Sequence, residues 1–313
     1  MKNNRLAIIV PCYNEEKTIN YSIEQLLLVL NMMINDGLVS LNSKIYFIND
    51  GSSDKTSEII EKHLNNKKIA LIELTKNYGQ QSAILAGLNC VEADMYVTID
   101  ADLQDDHMTI IDMVKKYLDG YEIVYGCRKS RKVDSFFKRS TATLFYEFMN
   151  IIGIKIRRNH SEFRLMSSLA VQKLKEYKEK TLFLRGIVQN IGLKSCNIYY
   201  DRIERLAGRS KYSFFKLFGL AWCAITSFSI FPLRIITIIG LLTSLISLTI
   251  MFYALYSYLN HYSIQGWTSI IMVIAFFSGI IIMSLGIIGE YLGKVLIEVK
   301  NRPLYQIEET TNL

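Results

Sequence analysis

An apolar run, Met95-Tyr96-Val97-Thr98-Ile99, leads straight into Asp100-Ala101-Asp102-Leu103-Gln104. Two carboxylates one residue apart at the end of a strand can share one hard divalent cation. Such cations take oxygen ligands, and Mg2+ is usually held by one or two carboxylates with substrate phosphates completing its shell. The chemistry this suggests acts on a nucleotide diphosphate. Paired acids at a strand end are also ordinary solvated turn residues, so their company decides.

That company depends on the elements that carry it. Apolar runs at 6–10, 45–48, 69–74, 95–99 and 123–125 alternate with helix-like stretches at 18–30, 55–64, 81–90 and 110–118. Short apolar strands between helices predict an α/β fold, a mostly parallel sheet covered on both faces. Ligands of such sheets bind outside the carboxyl ends of the strands. The polar clusters fall at those ends: Pro11-Cys12-Tyr13-Asn14-Glu15-Glu16, Asn49-Asp50-Gly51-Ser52-Ser53-Asp54, Lys76-Asn77-Tyr78-Gly79, and the segment from Asp100 to Gln104. Asp50 can accept hydrogen bonds from a base or ribose, and Tyr13 can stack on the base. Ser53 or Asp54 can equally cap the helix that follows. No Gly-x-Gly-x-x-Gly or Walker sequence is present, which argues against a dinucleotide or P-loop site.

Half of the 313 residues are hydrophobic, and they are unevenly spread. Residues 235–259 and 267–289 contain no charge. At about 1.5 Å per residue, each is long enough for a roughly 30 Å hydrocarbon core. With only 260–266 between them, they predict a transmembrane hairpin. Its loop has no Lys or Arg, whereas Arg234 precedes the first span and Lys294, Lys300 and Arg302 follow the second. The positive-inside rule then puts the whole first part of the chain and both termini in the cytoplasm, with the chain multi-pass in the cell (inner) membrane. The first apolar run is too short for a signal sequence. Cys12, Cys90, Cys127, Cys196 and Cys223 show no paired or metal-ligand spacing, as expected in a reducing compartment.

All but four of the 36 basic and all but four of the 29 acidic residues precede Arg234, and the net charge is +7. That excess suits an anionic lipid bilayer and anionic substrates. No basic helix, zinc module or aromatic-basic RNA motif is present, so no nucleic-acid partner is expected. His63, His107, His160 and His261 form no recognisable metal set.

Pro-x-Tyr-Asn-Glu, Asp-Gly-Ser-Ser-Asp and Asp-Ala-Asp-Leu-Gln, in this order, closely resemble the family-2 inverting glycosyltransferases of GT-A fold. Within them the likeness is to the polyprenyl-phosphate group, that of dolichol-phosphate mannose synthase and bactoprenol glucosyltransferase. It continues through Glu162-Phe163-Arg164-Leu165-Met166, Glu204 to Tyr212, the hairpin, and Gly289-Glu290-Tyr291-Leu292-Gly293-Lys294. The resemblance implies that Pro11, Tyr13, Asn14, Glu15, Asp50 and Asp100 hold the nucleotide-sugar donor, with uridine as its nucleoside. Asp100, Asp102 and Gln104 would carry Mg2+ or Mn2+. Arg205 and Lys211 would meet phosphate, for which an Arg fork and a compact Lys charge are suited; a solvated basic loop is the alternative. With Asp102 and Glu162 they make the expected catalytic set. The acceptor implied is polyprenyl (undecaprenyl) phosphate, and the product a lipid-linked monosaccharide for cell-envelope glycan modification.

Related enzymes usually have Asp where this chain has Glu162. A phosphate monoester has a second pKa of about 6 and is largely ionised at pH 7, so a strong base is unnecessary. Glu162 is expected to position the acceptor or a basic neighbour such as Arg164. The expected organisation is a cytoplasmic GT-A domain at 1–212, an interfacial amphipathic segment at 213–233, the hairpin at 234–293 and a cytoplasmic tail at 294–313. Gly240, Gly279, Gly286 and Gly289 would allow close helix packing and hence a homo-oligomer. A processive polysaccharide synthase is disfavoured because no Gln-x-x-Arg-Trp segment is present. A non-catalytic scaffold or flipping accessory would not need the acidic cluster.

Overall fold

The computed structural model describes residues 4–129, 160–179, 184–201, 231–259 and 266–313. Arg205, Lys211, most of the expected interfacial segment and most of the hairpin loop lie outside them. The chain divides into an α/β unit, which includes Arg302–Leu313, and a unit dominated by two long helices.

The α/β unit opens with β1 (Leu6–Cys12), α1 (Ile19–Asn35), β2 (Lys44–Asn49), α2 (Thr56–Glu61) and β3 (Ile69–Leu74). It continues with α3 (Gln80–Cys90), β4 (Met95–Thr98), α4 (Thr109–Leu118) and β5 (Ile123–Arg128). The five strands and four helices expected here are all present. Strands β1 and β4 are buried along their whole length, as continuous apolar runs in a two-sided sheet must be. Helix α1 buries Ile19, Ile23, Leu26, Leu30 and Met33, a stripe at three- and four-residue spacing that packs on the core.

The remaining elements carry weaker sequence signals: β6 (His160–Ser167), α5 (Ser168–Glu176), α6 (Leu184–Asn190), β7 (Ser195–Tyr200) and β8 (Ile307–Thr311). The eight-stranded sheet has the order β7-β5-β6-β4-β1-β2-β3-β8. Pairs β1–β2, β1–β4, β2–β3 and β5–β7 are parallel. Strand β6 lies antiparallel between β4 and β5. Thr98 pairs with Arg164, so continuing this register by two residues brings Glu162 level with Asp100. The sheet is therefore mostly parallel, as expected, with two reversed strands, β6 beside the acidic cluster and β8 at the edge.

The C-terminal residues do more than trail from a helix. Strand β8 runs antiparallel to β3 and covers what would otherwise be an open sheet edge. Asn312 secures its far end, its amide donating to the carbonyl oxygens of Leu64 at 2.7 Å and Ile69 at 3.3 Å.

In the helical unit, α7 spans Phe231–Leu259 and α8 spans Trp267–Lys300. Among the described residues, Phe276–Lys300 is the one stretch long and apolar enough to cross a membrane, with mean hydropathy 1.9. The expected second span ended near Gly289, but the helix continues for another three turns. Ile282 and Leu285 are 69% and 62% exposed. This excludes a buried core helix within the unit: so much apolar surface requires lipid or a partner.

Helix α3 lies so close to the sheet that a Cβ on Gly87 would stand 2.7 Å from Ile9 Cγ2 and 3.0 Å from Ile48 Cδ1. Gly87→Val should destabilise the protein by about 1–3 kcal/mol through overpacking. Thermal unfolding of the purified protein tests this, and an undiminished midpoint would show that the helix can lift off the strands.

Candidate active site

Four loops at the carboxyl ends of β1, β2, β3 and β4 form one rim, and their polar residues are tied to one another. The first two are stitched at Asn14. Its backbone N–H donates to Ser52 Oγ at 3.0 Å, and its side-chain carbonyl accepts from Ser53 N–H at 2.8 Å. Asn14 has φ +54°, a left-handed conformation that Asn tolerates better than most residues. Glu15 N–H donates to Thr56 Oγ1 at 2.9 Å, and Glu16 N–H to Asp54 Oδ2 at 3.1 Å. Asp54 also accepts from Thr56 N–H at 3.0 Å. Asp54 thus ties the first loop to the start of α2, although the N-cap position itself is Lys55 and not Ser53 or Asp54. Pro11 is buried at the end of β1, and Tyr13 beyond it is 43% exposed, leaving ring surface available for stacking.

Asp50 is 2% exposed and holds the third loop. Its two carboxylate oxygens accept the N–H groups of Tyr78 at 2.7 Å and Gly79 at 2.9 Å. Burial pushes its pKa up, while these two hydrogen bonds pull it down; burial prevails. The same two loops touch at Gly51, where φ is +63° and a Cβ would lie 2.5 Å from the Lys76 carbonyl carbon. Only glycine suits both that conformation and that approach.

The fourth loop holds Asp100 and Asp102. Leu103 N–H donates to the Asp100 carbonyl at 3.2 Å, and Leu103 takes φ +44°, unusual for a bulky side chain. This tight turn carries both carboxylates. The first residue of α3, Gln80, donates its amide to Asp100 Oδ1 at 2.5 Å. The buried Gln104 amide donates to Asp102 Oδ2 at 2.5 Å, so here it braces the carboxylate. The hydroxyl of Ser22 donates to the Ala101 carbonyl from below.

Glu162 and Arg164 are ion-paired and almost fully buried, at 2% and 1% exposure. The Thr98 hydroxyl donates to the Glu162 carbonyl, joining this pair to the strand that leads to Asp100. The expectation that Glu162 acts on Arg164 therefore has a direct contact behind it. Asp105 accepts from both Nε and Nη2 of Arg128, at 3.0 and 2.8 Å, and pins the acidic loop to the end of β5.

Pro11, Tyr13, Asn14, Glu15, Asp50, Asp100, Asp102, Gln104 and Glu162 thus stand at one end of the sheet, on contiguous loops and the adjoining strand. Arg205 and Lys211 lie outside the described residues. Gln80 and the Asp105–Arg128 pair had no role in the sequence reading. Gln80 has only its place directly after Tyr78-Gly79 to mark it.

Residues 7–175 match the model of glycosyl transferase family 2. The chain belongs to this family. It is 45% identical over 306 residues to the uncharacterized glycosyltransferase YkoT of Bacillus subtilis (strain 168), covering 97% of this chain and 91% of that one. It is 36% identical over 311 residues to the SfII prophage-derived bactoprenol glucosyl transferase of Shigella flexneri, covering 98% of each. A solved structure of glucosyl-3-phosphoglycerate synthase from Mycobacterium tuberculosis, in complex with Mn2+, uridine diphosphate and glucosyl-3-phosphoglycerate, superposes with TM-score 0.45. That protein is 16% identical, and the match covers 71% of this chain and 78% of the other. The family membership makes this protein a glycosyltransferase, and its α/β sheet is of GT-A type.

In this glycosyltransferase Asp50 is the tie between the second and third rim loops. Asp50→Asn would turn an amide donor towards one of the two N–H groups and strand it. The expected loss is about 1–3 kcal/mol, read as a lower midpoint in denaturant. An unchanged midpoint would mean that the loop is held by other contacts alone.

Proposed function

We propose that this protein transfers a sugar from a nucleotide-sugar to a polyprenyl phosphate at the cytoplasmic face of the membrane. The observation that carries the reading is the convergence of Asp50, Asp100, Asp102 and Glu162 on one rim of a family-2 fold. The full-length likeness to a protein named bactoprenol glucosyl transferase supports the acceptor, and undecaprenyl phosphate is the form to test. Uridine is the nucleoside that the family likeness favours. The product would be a lipid-linked monosaccharide for modifying cell-envelope glycans.

The oxygen donors fit a hard divalent cation. Among the described residues no group of three or more His, Cys, Asp or Glu could hold a metal by itself. Two carboxylates needing substrate phosphates to complete the shell are the arrangement Mg2+ commonly takes. Asp100 and Asp102 would therefore hold Mg2+ or Mn2+, which when bound neutralises the donor pyrophosphate. Gln104 would orient Asp102, and Gln80 would orient Asp100. The exposed ring of Tyr13 would stack on the base, and Asn14, Glu15 and Asp50 would shape its pocket. Arg205 and Lys211 would meet phosphate groups. The acceptor phosphate oxygen attacks the anomeric carbon, the bond from that carbon to the nucleotide oxygen breaks, and the nucleoside diphosphate leaves with inversion. The acceptor is ionised at pH 7, so Glu162 need not take a proton; its pairing with Arg164 gives it an orienting role.

Helices α7 and α8 would form a transmembrane hairpin, preceded by the interfacial segment at 213–233. Strand β8 adds a constraint on its topology. Lys300 ends α8 and Ile307 begins β8. The residues between them reach at most about 20–25 Å when fully extended, less than a roughly 30 Å hydrocarbon core. On this reading the C-terminal end of α8 would emerge on the face that carries the sheet, in agreement with the positive charges there. A tag placed after Leu313 should be digested by protease in inside-out vesicles and protected in right-side-out vesicles. The reverse pattern would refute the cytoplasmic assignment.

Purified protein, undecaprenyl phosphate and a panel of labelled nucleotide-sugars, with and without Mn2+ or Mg2+, test the reaction. One donor should give a glycolipid in a metal-dependent way. Asp102→Asn should reduce transfer at least about 100-fold without loss of membrane insertion. Normal turnover by that variant in metal-replete buffer would remove the metal assignment.

A further inference from the structure

The C-terminal strand does not stop at covering the edge of β3. Between Glu73 and Leu74 its register jumps by a residue, a bulge of the kind that re-aims a chain. Just before the strand, the Gln306 carbonyl accepts Thr75 N–H at 3.1 Å. The Gln306 side-chain oxygen accepts the Tyr78 hydroxyl at 3.3 Å, and that hydroxyl is also 3.0 Å from Thr75 Oγ1. One residue earlier, the Tyr305 hydroxyl accepts the Asn89 amide at 2.9 Å, in the last turn of α3.

These contacts grip one short stretch of chain at both ends. It begins at Thr75, offers the N–H groups of Tyr78 and Gly79 to Asp50, places Gln80 on Asp100, and ends with α3 at Asn89. Two rim carboxylates thus take their hydrogen bonds from a segment held by Tyr305 and Gln306. We propose that Tyr305 and Gln306 are positioning residues of the donor site: they fix the 75–80 segment so that Asp50 and Asp100 stand where a nucleotide diphosphate and its cation engage them. This rests on the donor-site reading above. The competing role, plain edge cover, would make every contact along β8 equivalent.

Asn312 separates the two, because it anchors the other end of the strand and its side chain bonds to Leu64 and Ile69, away from the rim. Full-length protein would be compared as wild type, Tyr305→Phe/Gln306→Ala, Tyr305→Phe/Gln306→Glu and Asn312→Ala. Uridine diphosphate binding is measured by calorimetry across Mn2+ concentrations, with amide hydrogen exchange followed over residues 75–81. In Tyr305→Phe/Gln306→Ala, nucleotide affinity should fall about five- to tenfold, the equivalent of one hydrogen bond, and amide exchange should accelerate. The Gln306→Glu change keeps a side-chain oxygen to accept the Tyr78 hydroxyl, so Tyr305→Phe/Gln306→Glu should recover the part of both effects that Gln306 carries and leave the part due to the lost Tyr305 hydroxyl. Asn312→Ala should lower the unfolding midpoint while leaving nucleotide affinity unchanged.

Equal loss of affinity in Asn312→Ala and the rim variants would establish edge cover and overturn the proposal. So would unchanged affinity and unchanged exchange in Tyr305→Phe/Gln306→Ala. Faster exchange with no nucleotide bound even by wild type would instead refute the donor-site reading, leaving the grip itself intact but its purpose wrong.

Discussion

A carboxylate taken out of water must have its charge met, and at Asp50 backbone N–H groups meet it. The loop that supplies them cannot drift without leaving the charge buried and unsatisfied, which is far more costly than losing an exposed contact. Much of the rim depends on that constraint. Asp50 draws Tyr78 and Gly79 inward, Gly51 allows the backbones to touch, and Gln80 arrives beside Asp100 as the next residue in the chain. The neutral amides of Gln80 and Gln104 orient Asp100 and Asp102 without adding positive charge to them. That suits the cation-holding role proposed for them.

Glu162 and Arg164 follow a different logic. Here opposite charges meet in the interior, and each is indispensable to the other: removing one partner of a buried pair leaves an uncompensated charge, commonly worth several kcal/mol. Their place next to the acidic loop follows from the reversed strand β6, whose register with β4 sets Glu162 level with Asp100. Glu162 thus reaches the rim through the sheet, whereas Asp50, Asp100 and Asp102 reach it through loops.

The C-terminal strand links the two units of the chain covalently and gives the protein a closed path. The chain leaves the α/β unit, runs through the long helices, and returns to hydrogen-bond with β3. Only the short stretch from Asn301 to Gln306 joins α8 to β8. It also places Gln306 against the loop that Asp50 holds, so the last residues of the chain belong structurally with the first third.

Much of this was legible in the sequence. Continuous apolar runs and helical spacing marked β1 to β5 and α1 to α4, because a two-sided sheet leaves that pattern in local order. The motifs around Pro11, Asp50 and Asp100 marked the rim because loops at strand ends carry their polar residues together. Strand β6 is buried inside the sheet but its apolar run is interrupted by the paired Glu162 and Arg164, while β7 and the polar Ile307-Glu308-Glu309-Thr310-Thr311 stretch of β8 are exposed edge strands that need no apolar run. Tertiary structure alone decided that Glu162 pairs with Arg164, that Gln80 and Gln104 brace the two acids, and that Gln306 meets Tyr78. The physical reason is separation along the chain. Periodicity and motif record what a residue does with near neighbours, while the hydrogen bond between Tyr78 and Gln306, 228 residues apart, exists only once the sheet has brought its partners together.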